Sequence, residues 1–475
     1  MARPERGDWR RTLALALAPM SLMFATCANP VVSIGTDCLP SGTDQELQAA
    51  IDRRATVTLC PRAEVTLNAP LILRQGTTLG TAGMPVSPAE MATVRVSPTF
   101  PSPSGAAIVS SGSDIRLLAV RFDGNRRGLG AREPLGLIEL GPGQNYDVEG
   151  CAFTDAPGWT HLHLLEPCET SVVSGNVVES APRPHSDGAA LADGFSISCA
   201  HTRIEGNQIN DISATGIVYF GGPGTTIRNN VIVETTTSAD SAINVGDAVV
   251  PDHTGVVIEN NQILVNSPRY MHVGIAVGLH VWGKSATISG VTVRDNQISG
   301  MTRYGLAVDG CLECTVENNQ ISDWHAVPTL DACAAPAAYL AALTVAHASG
   351  TLQPAFADEK IDGCLGEPDV LGPIYRDYAG AGPMPDYFAF EVALYSQRLE
   401  QGLDAGALLR ADWDRVAARA QVICPAGDTA SLESIWRALA DAQYGDGLTP
   451  DAADARVRAE LAASPPGTPC GPPAP

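Results

Sequence analysis

One short phrase, repeated along the chain, constrains its fold more than any bulk property. It runs apolar residue, polar residue, turn residue, Asn, then strand residues. It reads Val173-Ser-Gly-Asn176, Ile204-Glu-Gly-Asn207, Ile227-Arg-Asn-Asn230, Ile258-Glu-Asn-Asn261, Val293-Arg-Asp-Asn296 and Val316-Glu-Asn-Asn319. Val148-Glu-Gly-Cys151 puts Cys in the Asn place, and Leu117-Leu-Ala-Val120 has lost both polar marks. The marked positions are 31, 25, 31, 23, 31, 35 and 23 residues apart. A unit of this length that varies only in its loops is one turn of a solenoid, and no single turn buries its apolar face alone. The residue before each Asn is Gly, Asn or Asp, the types that best tolerate the left-handed backbone of a tight bend. Stacked coils bring the Asn side chains about 4.8 Å apart, where amides bond along a ladder and are buried with partners.

A second column carries the same register. Gly or Ala precedes alternating residues in Gly194-Phe-Ser-Ile, Gly216-Ile-Val-Tyr, Ala242-Ile-Asn-Val, Gly274-Ile-Ala-Val and Gly305-Leu-Ala-Val. Alternation turns Phe195, Ile197, Ile243 and Val245 inward and Ser196, Val218, Asn244, Ala276 and Ala307 outward. Cys168 and Cys199 each lie eight residues before a ladder Asn, hence at one place on adjacent coils and within disulfide reach. Thr43-Asp-Gln-Glu46 is a capping box opening the amphipathic helix Leu47–Ile51, a plug for the first coil, with Cys38 and Cys60 bracketing it.

These features resemble the right-handed parallel β-helix superfamily of pectate lyases, polygalacturonases and mannuronan epimerases, over residues 40–325. The resemblance implies an all-β right-handed parallel β-helix of three-strand coils with an Asn ladder and an N-terminal capping helix; a C-terminal α-helical domain is expected after it, from the helical spacing of the last third. It implies an extracellular polysaccharide as partner. The catalytic signatures of those enzymes do not carry over. Asn244-Val-Gly-Asp247 only echoes an Asn-Thr-Asp motif, and Arg183-Pro184-His185-Ser186-Asp187 departs from Asp-Pro-His-Asp by an Arg and an inserted Ser. One scaffold of this kind carries many chemistries.

The expected organisation is a signal peptide over 1–28, a cap region over 29–54, the β-helix over 55–325, a disulfide-rich helical domain over 326–463 and a Pro-rich tail over 464–475. Arg10 and Arg11 before the apolar run Leu13–Ala28 describe an export signal, with cleavage near Ala28 or a lipid on Cys27 as alternatives. No later run is long enough to span a membrane. The net charge of −22, with two lysines, excludes nucleic acid as a partner. A polyanionic sugar requires a local Arg site or a bridging Ca2+, the one cofactor considered. In the C-terminal third, helical spacing marks Phe388, Val392, Tyr395 and Leu399, then Leu409, Trp413, Val416 and Ala420, then Leu432, Ile435, Trp436 and Leu439. Six cysteines from Cys311 onward suffice for three bridges of unassigned pairing.

A ligand groove in this fold follows the outward face of the Gly-led strands. That face offers Glu139, His161, His163, Asn244 and Asp247, and the long loop Glu179–Asp193 brings Arg183, His185, Asp187 and Asp193 beside them. For β-elimination the base is His163 or His185, with Arg183 neutralising a uronate. For hydrolysis the carboxylates are Asp187 with Asp193 or Glu139. A second patch holds Tyr270, His272, His280, Trp282 and Lys284, extended by Arg303, as possible sugar-stacking groups. Against all of these stands the bland reading, solvated histidines on a half-exposed strand and ordinary loop packing. Two functions follow: a carbohydrate-active enzyme, lyase before hydrolase or epimerase, or a non-catalytic adhesive platform. Cys151 reads as a buried free thiol.

Overall fold

The computed structural model describes residues 37–101, 105–129, 135–179, 192–235, 239–246, 252–266, 271–282, 287–300, 302–322, 343–346 and 348–353, with parts of 416–470. Three long parallel sheets run the length of the solenoid, with 11, 11 and 10 strands. Sheet 1 begins at Thr56–Leu59, sheet 2 at Gly42–Thr43 and sheet 3 at Leu71–Ile72. Each coil visits them in that order: Val172–Ser174, Val177–Glu179 and Asp193–Ile197, then Arg203–Glu205 back on sheet 1. The result is a right-handed parallel β-helix.

The bend between sheets 1 and 2 holds the Asn column. All six ladder asparagines are at most 5% exposed. Each Nδ2 donates to a carbonyl of the preceding coil at 2.9–3.0 Å, from Val148 for Asn176 to Val293 for Asn319. Each Oδ1 from Asn207 onward accepts both the backbone N–H and the Nδ2 of the Asn one coil earlier. The residues before them take left-handed backbone, with φ from 54° at Asn229 to 65° at Gly206. The ladder is closed at both ends. Cys151 donates its N–H to Asn176, and its thiol meets the Leu117 carbonyl at 3.3 Å, so sulfur stands in for an amide in an apolar coil. At the far end the amide of Gln353 accepts the Asn319 N–H and donates to the Asn319 carbonyl. Among the described residues Cys151 is the free cysteine, and burial pushes its thiol up to about 12.

Inside the coils, apolar residues stack in columns, with Phe122, Phe153 and Phe195 in ring contact at 5.6 and 5.9 Å. On the outer face of sheet 1 the register sets Glu205, Arg228, Glu259, Arg294 and Glu317 in one row of alternating charge. Arg228 pairs with Glu205 at 2.7 Å and Arg294 with Glu259 at 2.6 Å.

The helix Asp44–Arg53 opens on Thr43 with both halves of the capping box and turns Leu47, Ala50 and Ile51 onto the first coil. Cys168–Cys199 is bonded as the spacing predicts, and Cys38–Cys60, which brackets the cap helix, is bonded too, with Cα atoms 4.4 and 4.9 Å apart. The later cysteines resolve in part: Cys311 pairs with Cys314 and Cys424 with Cys470. The expected β-helix boundary at 325 falls short. Leu343–Ala346 pairs with sheet 3 and Gly350–Thr351 with sheet 1, so these two sheets each gain a strand beyond it, from residues without the Asn phrase. Val416, Ala420, Ile435 and Leu439, expected on helix faces, form a separate core with Val457 of the helix Pro450–Ala463. Phe388, Val392, Tyr395, Leu399, Leu409 and Trp413 lie outside the described residues, as do the signal segment and Cys27.

Candidate functional site

The outward row of sheet 3 carries the side chains that bear chemistry. Register pairs set Val109, Glu139, His163, Ser196, Val218 and Asn244 on successive coils, followed by Ala276 and Ala307. The row is not the open groove that alternation alone suggests. Ser196, Ala276 and Ala307 are fully buried, while Glu139 and Asn244 keep partial exposure.

His163 is the centre of this row. Its side chain is 11% exposed, and Nδ1 lies 3.4 Å from Oε2 of Glu139 on the preceding coil. Trp159, in the turn leading into strand Thr160–Leu164, meets the imidazole edge-on at 4.9 Å. Phe220, two coils further on, meets it at 6.4 Å. The hydrogen bond from His163, opposed by burial, holds the Glu139 carboxyl below its usual range. A carboxylate at Nδ1 favours the tautomer with the proton there and leaves Nε2 with its lone pair. Among the described residues Nε2 has no hydrogen-bond partner. An imidazole oriented by a carboxylate and flanked by two rings is equipped to take a proton from a sugar-sized ligand.

Beside it, Asp193 opens strand Asp193–Ile197. Its Oδ2 accepts the Ser196 hydroxyl at 2.9 Å and its Oδ1 the Thr215 N–H at 3.1 Å. Ser196 also meets the Thr160 hydroxyl at 2.9 Å. Burial pushes the Asp193 carboxyl up to about 7 against the pull of those two hydrogen bonds. Both oxygens are therefore engaged within the sheet.

His161 departs from the expectation that it faces the ligand side with His163. It is fully buried; Nε2 accepts the Ala156 N–H at 3.3 Å and Nδ1 meets the Asp193 carbonyl at 2.8 Å. With both nitrogens committed to backbone, it fastens the turn before its strand to the next coil. Arg183, His185, Asp187, Asp247, Tyr270 and Lys284 lie outside the described residues. Trp282 ends the turn Leu279–Trp282 and Arg303 lies in strand Thr302–Asp309, with only their backbone described. Trp159 is the site residue that sequence reasoning missed. It precedes its strand instead of alternating within it, and only its place two residues before His161 could have marked it. No group of three or more His, Cys, Asp or Glu side chains suited to a metal occurs among the described residues.

Residues 136–321 match the family described as right handed beta helix region. The match covers the middle coils of the three sheets and agrees with their fold, a right-handed parallel β-helix. Among solved structures it is similar to an exopolygalacturonase from Thermotoga maritima, at 13% identity and a TM-score of 0.42 over 65% of this chain and 87% of that one. It is similar to an alginate lyase from Paenibacillus sp., at 16% identity and a TM-score of 0.40 over 62% and 97%. A mutant tailspike protein of E. coli bacteriophage HK620, solved with a pentasaccharide, gives 14% identity and a TM-score of 0.43 over 65% of this chain. The chain spans only 57% of that tailspike. No curated protein sequence matches it.

Proposed function

We propose that this is an exported protein that acts on an extracellular polysaccharide, with His163 as proton acceptor and Glu139 as the group that orients it. One observation carries the reading: a carboxylate-paired imidazole, flanked by Trp159 and Phe220, on the outward row of sheet 3. Export is supported by the disulfides, which persist in oxidising compartments. In the lyase form of the reading, Nε2 of His163 removes the proton next to a uronate carboxylate. The glycosidic C–O bond at the β-carbon breaks to leave the double bond, and the departing oxygen takes a proton from water. Arg183 is the residue proposed to offset the developing charge, and a Ca2+, where bound, would supply the same positive charge. In the hydrolase form, Glu139 and Asp193 are the two carboxylates, favoured by the opposite directions in which their proton affinities are pushed. The engagement of both Asp193 oxygens within the sheet weighs against it.

A second reading, a non-catalytic glycan platform, is favoured by the shielding of Ser196, Ala276 and Ala307. The test is a screen of the purified protein against polyuronates and neutral polysaccharides, with and without Ca2+. Unsaturated-sugar absorbance and reducing ends are followed together. Unsaturated products that vanish in His163→Ala establish the lyase. Reducing ends without that absorbance, lost in Asp193→Asn, establish the hydrolase. Glycan binding without products leaves the platform.

A further inference from the structure

Sheet 2 changes character along its length. Its early coils present charged residues outward, among them Glu64, Arg95, Arg121, Asp123 and Glu179. From the next coil onward the charge stops. One outward row reads Gln208, Val231, Gln262, Gln297 and Gln320, in direct register and all exposed. The row beside it reads Asn210, Val233, Leu264, Ser299 and Ser322, with Leu264 41% exposed. Around the Asn corner, the same five coils carry the alternating charges of sheet 1. The same stretch of chain thus writes charge on one face and withholds it from the other. Among the described residues the side-chain amides of Gln262, Gln297 and Gln320 make no hydrogen bond.

The dimensions and chemistry of this face narrow its occupant. Five strands span about 19 Å and two outward rows about 7 Å, an area of about 130 Å². A stable protein interface needs roughly 800 Å² per partner and aromatic or Arg anchors, which these rows lack. A polyanion finds no cation here and meets a chain of net charge −22. A membrane surface calls for a basic rim and embedded aromatics, which the rows also lack. An amide both donates and accepts, as a sugar hydroxyl does. Amides recurring at about 4.8 Å along the solenoid axis, with Val231 and Leu264 between and beside them, match an extended, uncharged, hydroxyl-rich chain.

We propose that this face of sheet 2 binds an extended neutral polysaccharide lying along the solenoid axis. It stands on a different sheet from Glu139 and His163, and it does not depend on any reaction there. Affinity electrophoresis of the whole protein in gels containing hydroxyethyl cellulose, galactomannan, starch or polygalacturonate tests it. Retardation is expected in at least one neutral gel, persisting at about 0.5 M salt because no charge is involved. It should weaken about tenfold in the triple variant Gln262→Ala, Gln297→Ala, Gln320→Ala, and again in Leu264→Glu, with unchanged unfolding midpoints. His163→Ala should bind as the parent does. The proposal is overturned if no neutral gel retards the protein, or if the triple variant binds undiminished. It is equally overturned if binding is lost in His163→Ala instead, which puts the neutral glycan on sheet 3. Sedimentation showing a dimer broken by Leu264→Glu would make the face an interface between copies.

Discussion

Asn230 lies in the interior of the ladder, and replacing it with Ala tests the reasoning most directly. Its Oδ1 accepts the Asn207 N–H at 3.1 Å and the Asn207 Nδ2 at 2.9 Å; its Nδ2 donates to the Ile204 carbonyl and to Asn261 Oδ1, both at 2.9 Å. Not all four losses weigh equally. Asn207 Nδ2 keeps the Val173 carbonyl, and Asn261 Oδ1 keeps the Asn230 backbone N–H. The Asn207 N–H and the Ile204 carbonyl lose these partners at a place with no solvent. Each buried orphan costs about 1–3 kcal/mol, and the small cavity adds about 1 kcal/mol, so Asn230→Ala should cost about 4 kcal/mol. Urea unfolding followed by circular dichroism measures this, with half-exposed Asn210→Ala as a control expected within about 0.5 kcal/mol of the parent. A loss below about 1 kcal/mol for Asn230→Ala would refute the ladder as a stabilising element.

Four further outcomes are expected. Cys151→Asn should extend the ladder by one rung and raise stability by about 1 kcal/mol in the same urea assay, since its thiol already meets Leu117 O. Gln353→Ala should uncap the far end and cost about 1–2 kcal/mol, read by faster hydrogen exchange at the Asn319 amide. Asp193→Asn should change stability little near pH 4 and stabilise increasingly as pH rises. The unfolded carboxyl ionises near pH 4 while the folded one keeps its proton until about 7, so the penalty that Asn removes is complete only above 7, up to about 4 kcal/mol. Thermal melts at pH 4.5 and 8 compare the two. Should activity be found, Glu139→Gln is expected to lower kcat about a hundredfold with KM little changed, and an unaltered kcat would remove Glu139 from the mechanism.

The fold was legible because a solenoid repeats its constraints. Six Asn marks, each preceded by a residue that accepts positive φ, fix corner and register together, and Cys168 with Cys199 confirms that register by bonding. Legibility failed where the repeat has no voice. The pairing of Leu343–Ala346 and Gly350–Thr351 follows from their neighbours in space, in a stretch with no Asn phrase. The site was half legible. Alternation put Glu139 and His163 on one row, as the register has them. It also put His161 there, and could not anticipate that a backbone N–H and a carbonyl would take both its nitrogens inside. Trp159 sits outside the alternating segment, so period-two reasoning passes over it.

The alternating charges on sheet 1 have a consequence for how such a chain can change length. A rung of Asn looks like every other rung, so the ladder cannot tell one coil from the next. The row Glu205, Arg228, Glu259, Arg294, Glu317 can, because it assigns each coil a parity. Loss of one internal coil sets Glu on Glu or Arg on Arg at the junction; loss of two adjacent internal coils restores an opposite pair there. Within this stretch the solenoid should therefore tolerate gain or loss of coils in twos and resist it in ones, a counting rule written in side-chain charge.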